Sequence, residues 1–399
     1  MTIIHAGDAL SAAQRRRLII VLGALTALGP FTIDLYLPAF PAVAVSLATS
    51  PAAIQATLAG TTAGIAIGQL LMGPWSDRVG RRIPLIIATI AHVLASLACA
   101  AAPDVIFLTI ARFGMGAAAA AGGVVAAAMV RDLYSGLPMM KLSSRLAMIN
   151  GAAPIIAPVL GSVLLAWTDW RGIFVVLAAY ALVVVTATIL WVPESLPKHA
   201  RSAGGFVEFG GVAKRLFGDR IFVLLMLVGG MVWGSEFSYL AGSPFLIQDA
   251  YGFSATAYGV FFAINAVGYV AGTQVGARVA HRIAPQKLLA VSTSVMVVAA
   301  AAVVIGTSTD SRALVLGALW FSVASVGVSV PCATALALNR VTSNAGTAAA
   351  LLGAANFGIA ALVTPLGSAA GGMGIVMLVT SIIAASFAIP LTRMQVGWR

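Results

Sequence analysis

Three ionisable residues stand where charge is expensive. Asp34, Arg112 and Glu236 each lie inside a long apolar stretch of a 399-residue chain. A charge placed in hydrocarbon must find a partner, water or a proton, so each is a candidate functional group. A carboxyl whose surroundings alternate between dry and polar can take and release a proton near neutral pH. Desolvation favours its neutral form and a nearby cation its ionised form. Each acid also has a plainer reading. Asp34 stands near Pro38 and Pro41 and can cap or pair locally. Glu236 can bind a cationic substrate, carry the proton, or be satisfied across an interface between two halves of the chain. Arg112 keeps its proton, so it must find a carboxylate, carbonyls or water.

Other residues suit a pocket. Tyr36, Gln69, Asn150, Trp233, Phe237, Tyr239, Phe261, Asn265 and Asn356 offer aromatic faces and amides. That set fits a cationic or amphipathic organic compound. Phe261 can equally face lipid, and Asn265 and Asn356 can simply join neighbouring helices. A second polar constellation, Gly73, Asp77, Arg78, Gly80, Arg81 and Arg82, fills a short turn. Asp77 can accept N–H groups at a helix start or pair with an arginine. The three arginines favour an anionic inner leaflet, and the glycines permit close approach or positive φ. Asn150, Gly151, Pro154, Pro158 and Gly161 predict a bent, closely packed helix.

Enzyme chemistry is not legible. No GxxxxGK[ST] loop is present. His5, His92, His199 and His281 are too scattered for a metal site. Cys99 and Cys332 fall in separate apolar stretches, so no disulfide is expected. No cofactor is implied.

The elements that must position these groups follow from composition. Sixty per cent of the residues are hydrophobic and 9% charged, where a soluble domain carries about a quarter charged. Twelve spans of about 20 apolar residues need ~240, which is the apolar content available. Span expectations run 18–38, 54–74, 84–101, 105–128, 143–165, 172–191, 221–242, 254–277, 287–306, 313–335, 345–366 and 372–391. The net charge of +11 would suggest nucleic acid in a soluble protein. Here twenty of the 23 Lys and Arg fall in loops on one side if both termini are cytoplasmic, with Arg399 among them. That is the positive-inside pattern, and no nucleic-acid partner is expected. The predicted fold is an all-α polytopic membrane protein of twelve transmembrane helices in two pseudo-symmetric six-helix bundles. Residues 1–191 form the first bundle and 221–399 the second. A cytoplasmic linker, 192–220, carries a surface helix over 206–217. Repeated halves suit a transporter that rocks about a central site.

Residues 68–82, GQLLMGPWSDRVGRR, resemble the signature loop of the major facilitator superfamily. IDLYLPAFP at 33–41 and RDLY at 131–134 resemble the Bcr/CflA type of its drug:proton antiporters, RFGMGAAAAAG from Arg112 resembles the conserved span-four arginine motif, and NGAAPIIAPVLG from Asn150 resembles the span-five motif associated with antiporters. The span-five match departs from the pattern, with Ala157-Pro158 for Gly-Pro and Gly161-Ser162 for Gly-Gly, and the second-half copy of the loop is degenerate. The resemblance implies a latch at Gly73, Asp77, Arg78, Gly80, Arg81 and Arg82. It also implies a coupling arginine at Arg112, proton work at Asp34, and a bend at Pro154, Pro158 and Gly161 that packs the halves. It implies efflux of small amphipathic drugs, such as phenicols or lipophilic cations, in exchange for protons. The setting would be the bacterial inner membrane, with a monomer contacting anionic inner-leaflet lipid. The alternatives are a symporter or uniporter of one native solute, and a non-transporting sensor or structural protein.

Overall fold

The computed structural model describes residues 11–202, 204–341, 344–369 and 372–393. Arg399 and both chain ends lie outside the described residues. Among the described residues all regular structure is helical: α1 (Ala12–Asp34), α2 (Phe40–Ser46), α3 (Pro51–Val79), α4 (Arg82–Ala100), α5 (Val105–Leu133), α6 (Gly136–Leu164), α7 (Trp170–Trp191), α8 (Gly205–Phe217), α9 (Arg220–Pro244), α10 (Ala255–Val279), α11 (Pro285–Ser308), α12 (Arg312–Leu338), α13 (Ala345–Val363), α14 (Leu366–Ala369) and α15 (Met373–Leu391). Among the described residues, twelve segments are long and apolar enough to cross a membrane.

Short polar caps start many of them. Ser11, Ser50, Asp104, Asp169, Asp219 and Ser254 accept the first free N–H groups of α1, α3, α5, α7, α9 and α10. The first span differs from its expected 18–38 boundary. It breaks after Asp34, passes through a 3-10 turn at Leu37–Ala39 and resumes as α2 to Ser46. Pro38 and Pro41 lack N–H donors and constrain the residues before them, so the helix is interrupted but not ended. The fifth span starts earlier than expected, at Gly136. Helix formation needs no apolar side chains, so α6 extends past the hydropathy limit through Lys141 and Arg145.

Helices α1 and α3–α7 pack with one another, and α9–α13 and α15 do likewise. Gly64 shows how tightly: a Cβ there would run into the Phe113 carbonyl and the Ala117 amide nitrogen. Only a hydrogen allows α3 and α5 so close. Contacts between α3 and α13, and between α6 and α10, join the two sets. The basic face carries the Asp77–Arg82 turn, and there Gly346 of α13 lies against the Arg131 guanidinium. At the opposite face Gln248 Nε2 donates to the Pro38 carbonyl at 3.1 Å, and the Phe40 and Phe245 rings lie 6.0 Å apart. Helix α9 runs into a π-helical turn there, Phe245–Ala250.

Helix α8 follows the expected amphipathic stretch closely. Phe206, Val207 and Phe217 are exposed apolar side chains, while Lys214 and Arg215 stand in its last turn. It contacts α3, α9 and α13.

Candidate functional site

Breaking the first span puts Asp34 at the end of α1, buried with 4% exposure. Helix α9 is unbroken at the same level, and Glu236 is half-buried on it. The two carboxyls come from opposite helix sets, yet each lies within electrostatic range of the other. Tyr239 feels both acids and Tyr258 feels Asp34. Among the described residues the ion pairs are Arg81 with Asp77 and Asp132, and Arg340 with Asp219. Neither Asp34 nor Glu236 joins one. The cluster is two acids and two phenols at a joint between helix sets.

Aromatic rings flank it. Trp233 stacks on Phe237 at 5.5 Å and meets Phe357 at 4.9 Å. Tyr239 stacks on Phe262 at 5.9 Å, and Tyr258 packs against the same ring at 6.0 Å. The Tyr258 hydroxyl lies 3.3 Å from Ser243 Oγ. An acid lined by ring faces can hold an organic cation or, when protonated, an uncharged amphipath.

Arg112 lies elsewhere. It is fully buried, inside the first helix set. Its guanidinium carbon sits 4.4 Å over the Tyr36 ring and 5.7 Å from the Phe174 ring. Nε donates to the Thr57 carbonyl at 3.4 Å, while Nη1 and Nη2 have no hydrogen-bond partner. Nearby, buried His92 of α4 reaches Thr32 Oγ1 of α1 at 2.8 Å and Ser96 Oγ of its own helix at 3.3 Å. Thr32 and Tyr36 flank Asp34 in the chain. The arginine's compartment therefore touches the residues on both sides of the acid without an ion pair to it.

At the basic face, Arg81 is the hub. It pairs with Asp77 and with Asp132, Nε to Oδ2 at 2.8 Å. Ser195 Oγ donates to the same Asp132 oxygen at 3.0 Å. Burial opposes the charge on Arg81, but hydrogen bonds and charges from Asp132 and Asp77 outweigh it and hold the guanidinium above its ordinary pKa. Of the two ways open to Asp77, the structure selects the arginine. The start of α4 is taken instead by Glu194, which accepts from the N–H groups of Arg81 at 2.8 Å and Arg82 at 3.2 Å. Gly80 turns with φ +104°, and a Cβ there would strike the Glu194 carboxylate. Gly73 has no such crowding, and Arg78 lies beside Gly205 of α8. Arg82 reaches the Ile189 carbonyl at 2.6 Å.

The exposures rank these contacts. Asp132 has 16% side-chain exposure and Asp77 49%. Exposed pairs contribute about 0.2–1 kcal/mol, whereas removing one partner of a buried pair costs about 3–5 kcal/mol. Asp132→Asn is therefore expected to lower thermal stability more than Asp77→Asn, measured by unfolding of the purified protein. Equal effects would refute the ranking. Glu194 carries a pH expectation. Burial opposes its ionisation, but the N–H groups of Leu196, Arg81 and Arg82, with Arg201, hold it below the usual carboxylate range. A depressed pKa adds stability above the free carboxyl value of about 4.3, and that stability is lost as pH falls through the lowered value. The protection of the Arg81 and Arg82 amides, taken relative to intrinsic hydrogen exchange at each pH, should fall as pH drops below the free carboxyl value of about 4.3. Glu194→Gln should flatten that dependence; an unchanged profile would remove Glu194 as its cause.

The pattern described as Major Facilitator Superfamily matches residues 20–365. The chain belongs to the major facilitator superfamily. It is 34% identical over 394 residues to the MFS-type transporter YdgK of Bacillus subtilis (strain 168), covering 96% of this chain and 97% of that protein. It is 27% identical over 353 residues to a bicyclomycin resistance protein homolog of Haemophilus influenzae, covering 87% and 88%. The crystal structure of a D-xylose-proton symporter superposes with a TM-score of 0.75 at 18% identity, covering 93% of this chain and 97% of that one. This superfamily member is a multi-pass membrane transporter of small organic solutes, with the two-times-six helix fold. Multidrug-resistance proteins stand among its relatives.

Within this transporter, the structure brings Asp34, Glu236 and Tyr239 together and places Trp233 and Phe237 on a neighbouring turn. Tyr36 and Arg112 form a separate compartment. Asn265 is buried, and its Nδ2 donates to the Phe261 carbonyl of its own helix at 2.9 Å. Phe261 is half-buried and packs on the core. Asn356 lies against Gly229 of α9, Gln69 against Gly353 of α13, and Asn150 is exposed on α6. Pro154 and Pro158 lie within α6, and Gly161 is needed for contact, because a Cβ there would meet the Leu35 carbonyl. Sequence reading missed Tyr258, Phe262, Phe357 and His92. Tyr258 and Phe262 are four apart, one helical turn, which was the available signal.

Proposed function

We propose that this chain exports small amphipathic drugs, of the phenicol or lipophilic-cation class, across the bacterial inner membrane in exchange for protons. The observation that carries this reading is that Asp34 and Glu236, from opposite helix sets, lie within electrostatic range of each other, with no basic partner in ion-pair range among the described residues. Two carboxylates at one joint repel when both are charged. A proton or a cationic substrate relieves that repulsion and changes how strongly the halves hold one another. Proton and cargo then compete for one two-state element. The resistance proteins among the relatives support drugs as cargo.

In this reading the basic face is cytoplasmic, with both termini on that side and anionic lipid against the basic loops. Residues 1–191 and 221–399 rock as two bundles about the 192–220 linker, in a monomer. The Asp77–Arg81–Asp132 latch holds the cytoplasmic side shut, and α6 with Pro154, Pro158 and Gly161 packs the halves. Trp233, Phe237 and Tyr239, with Tyr36, Phe261, Asn150, Asn265 and Asn356 further along the path, contact the cargo.

The test is substrate-evoked proton movement in proteoliposomes with an imposed pH gradient, using phenicols, lipophilic cations and neutral metabolites. Protons moving against the cargo support antiport. Protons moving with it would make the protein a symporter, and cargo flux without proton movement a uniporter. Cargo binding without flux would make it a sensor.

A further inference from the structure

A cavity of about 880 Å³ opens at the face opposite the basic loops, between the start of α3, the π-helical turn after α9, the end of α11 and the start of α15. Asp34, Glu236, Trp233 and Tyr239 do not line it, so it is separate from the carboxyl cluster. Its walls are apolar at Phe245, Leu246 and Met373, with hydroxyls at Ser50 and Thr307 and an amide at Gln55. Among the described residues, none that lines it carries a charge.

Two observations mark it as more than a gap between helices. Gln55 has 6% exposure, and its Oε1 is buried with no hydrogen-bond partner. An unpaired buried carbonyl oxygen is costly unless something donates to it. The wall at Phe245, Leu246 and Ala250 belongs to the π-helical turn. Such turns are rare and concentrate at functional sites. The volume falls in the range of sites for drug-sized ligands, about 300–1,000 Å³.

We propose that this cavity is a second ligand site, which takes an uncharged amphipathic molecule presenting a hydrogen-bonding group to the side-chain amide of Gln55. Uncharged follows from the neutral walls, since a bound ion would be desolvated there without a counter-charge. Amphipathic follows from the rings and the methionine opposite the amide. A lipid acyl chain would fill the volume but leave Gln55 unpaired. The same π-helical turn holds the cross-set contacts Phe40–Phe245 and Gln248–Pro38. A molecule seated here therefore bears on the joint that closes this face.

The test uses the full chain in lipid nanodiscs and equilibrium binding of chloramphenicol, an uncharged aryl amide with two hydroxyls. Tetraphenylphosphonium, a cation without a donor, is present at saturation. Gln55→Leu removes the amide, and Ala52→Trp and Thr307→Trp each fill the volume from a different helix. Thr307 is exposed, so that variant does not depend on repacking the core. Each is expected to weaken chloramphenicol binding about fivefold or more, the scale of one lost hydrogen bond. Tetraphenylphosphonium binding should not change. No saturable chloramphenicol binding to the unmodified chain, or equal affinity in all three variants, overturns the proposal. So does loss of co-purified lipid in Ala52→Trp and Thr307→Trp with chloramphenicol affinity intact, which would assign the cavity to bilayer lipid. Binding is read without a proton gradient, so its failure is distinguishable from failure of the antiport reading.

Discussion

Asp34→Asn is expected to leave the protein folded and able to bind cargo but to uncouple it from protons. The amide keeps the size of the carboxyl and cannot titrate. It also ends the repulsion between Asp34 and Glu236 across the joint. The two-state element then loses its proton-dependent bias. A coupling free energy of about 1–3 kcal/mol corresponds to roughly 5- to 150-fold, and gradient-driven cargo movement should fall by that factor. Exchange of labelled for unlabelled cargo without a gradient should persist, because it needs no net proton transfer. Glu236→Gln should show the same pattern if the acids act as one unit. It should instead lose cationic cargo selectively if Glu236 mainly binds substrate. Full gradient-driven transport in both variants would leave the carboxyl cluster a structural joint. The assay is proton and cargo flux in the same proteoliposomes.

Arg112→Met is expected to raise thermal stability while abolishing coupled transport. The guanidinium is fully buried, lacks an ion-paired carboxylate among the described residues, and leaves Nη1 and Nη2 without hydrogen-bond partners. The ring of Tyr36 beneath it returns about 2 kcal/mol when desolvated, less than the cost of burying an ion. Methionine fills similar space and contacts aromatic rings favourably. Replacing buried ionic groups with apolar ones of similar volume is often neutral or stabilising by about 1–4 kcal/mol. A charge kept at such a cost is kept for work. Its position over Tyr36, with His92 on Thr32, lets a shift of Arg112 move the chain on both sides of Asp34. Arg112→Lys should not restore coupling, because an ammonium lacks the planar face that stacks on Tyr36. The melting temperature and flux of the same preparation decide the matter. A large loss of stability would mean the arginine is a satisfied structural pair, and retained coupling would remove it from the relay.

Much of this architecture was legible in the residues. Unbroken apolar stretches set the number and type of spans, because backbone polar groups in hydrocarbon must be satisfied within each helix. The signature at 68–82 pointed to the family, and the amphipathic stretch at 206–217 to helix α8. Hydropathy was weaker at helix ends. It placed the start of the fifth span at 143 where α6 begins at Gly136, since a helix persists through polar residues once begun.

The sequence by itself determined twelve apolar spans, a basic face, and the three ionisable residues that must be accounted for in an apolar setting. These follow from local quantities: side-chain hydrophobicity, charge and backbone propensity. Only the tertiary structure decided which of them meet. It set Asp34 within electrostatic range of Glu236, about two hundred residues away in the chain. It gave Arg112 to Tyr36 rather than to an acid, and the start of α4 to Glu194 rather than to Asp77. It chose Phe262 over Phe261 as the ring beside Tyr239. A helical residue's neighbours across a bundle depend on how each helix is rotated and how closely it packs. Positions such as Gly64 and Gly161, where only a hydrogen fits against a facing carbonyl, fix that rotation and approach, and no single helix carries the information alone.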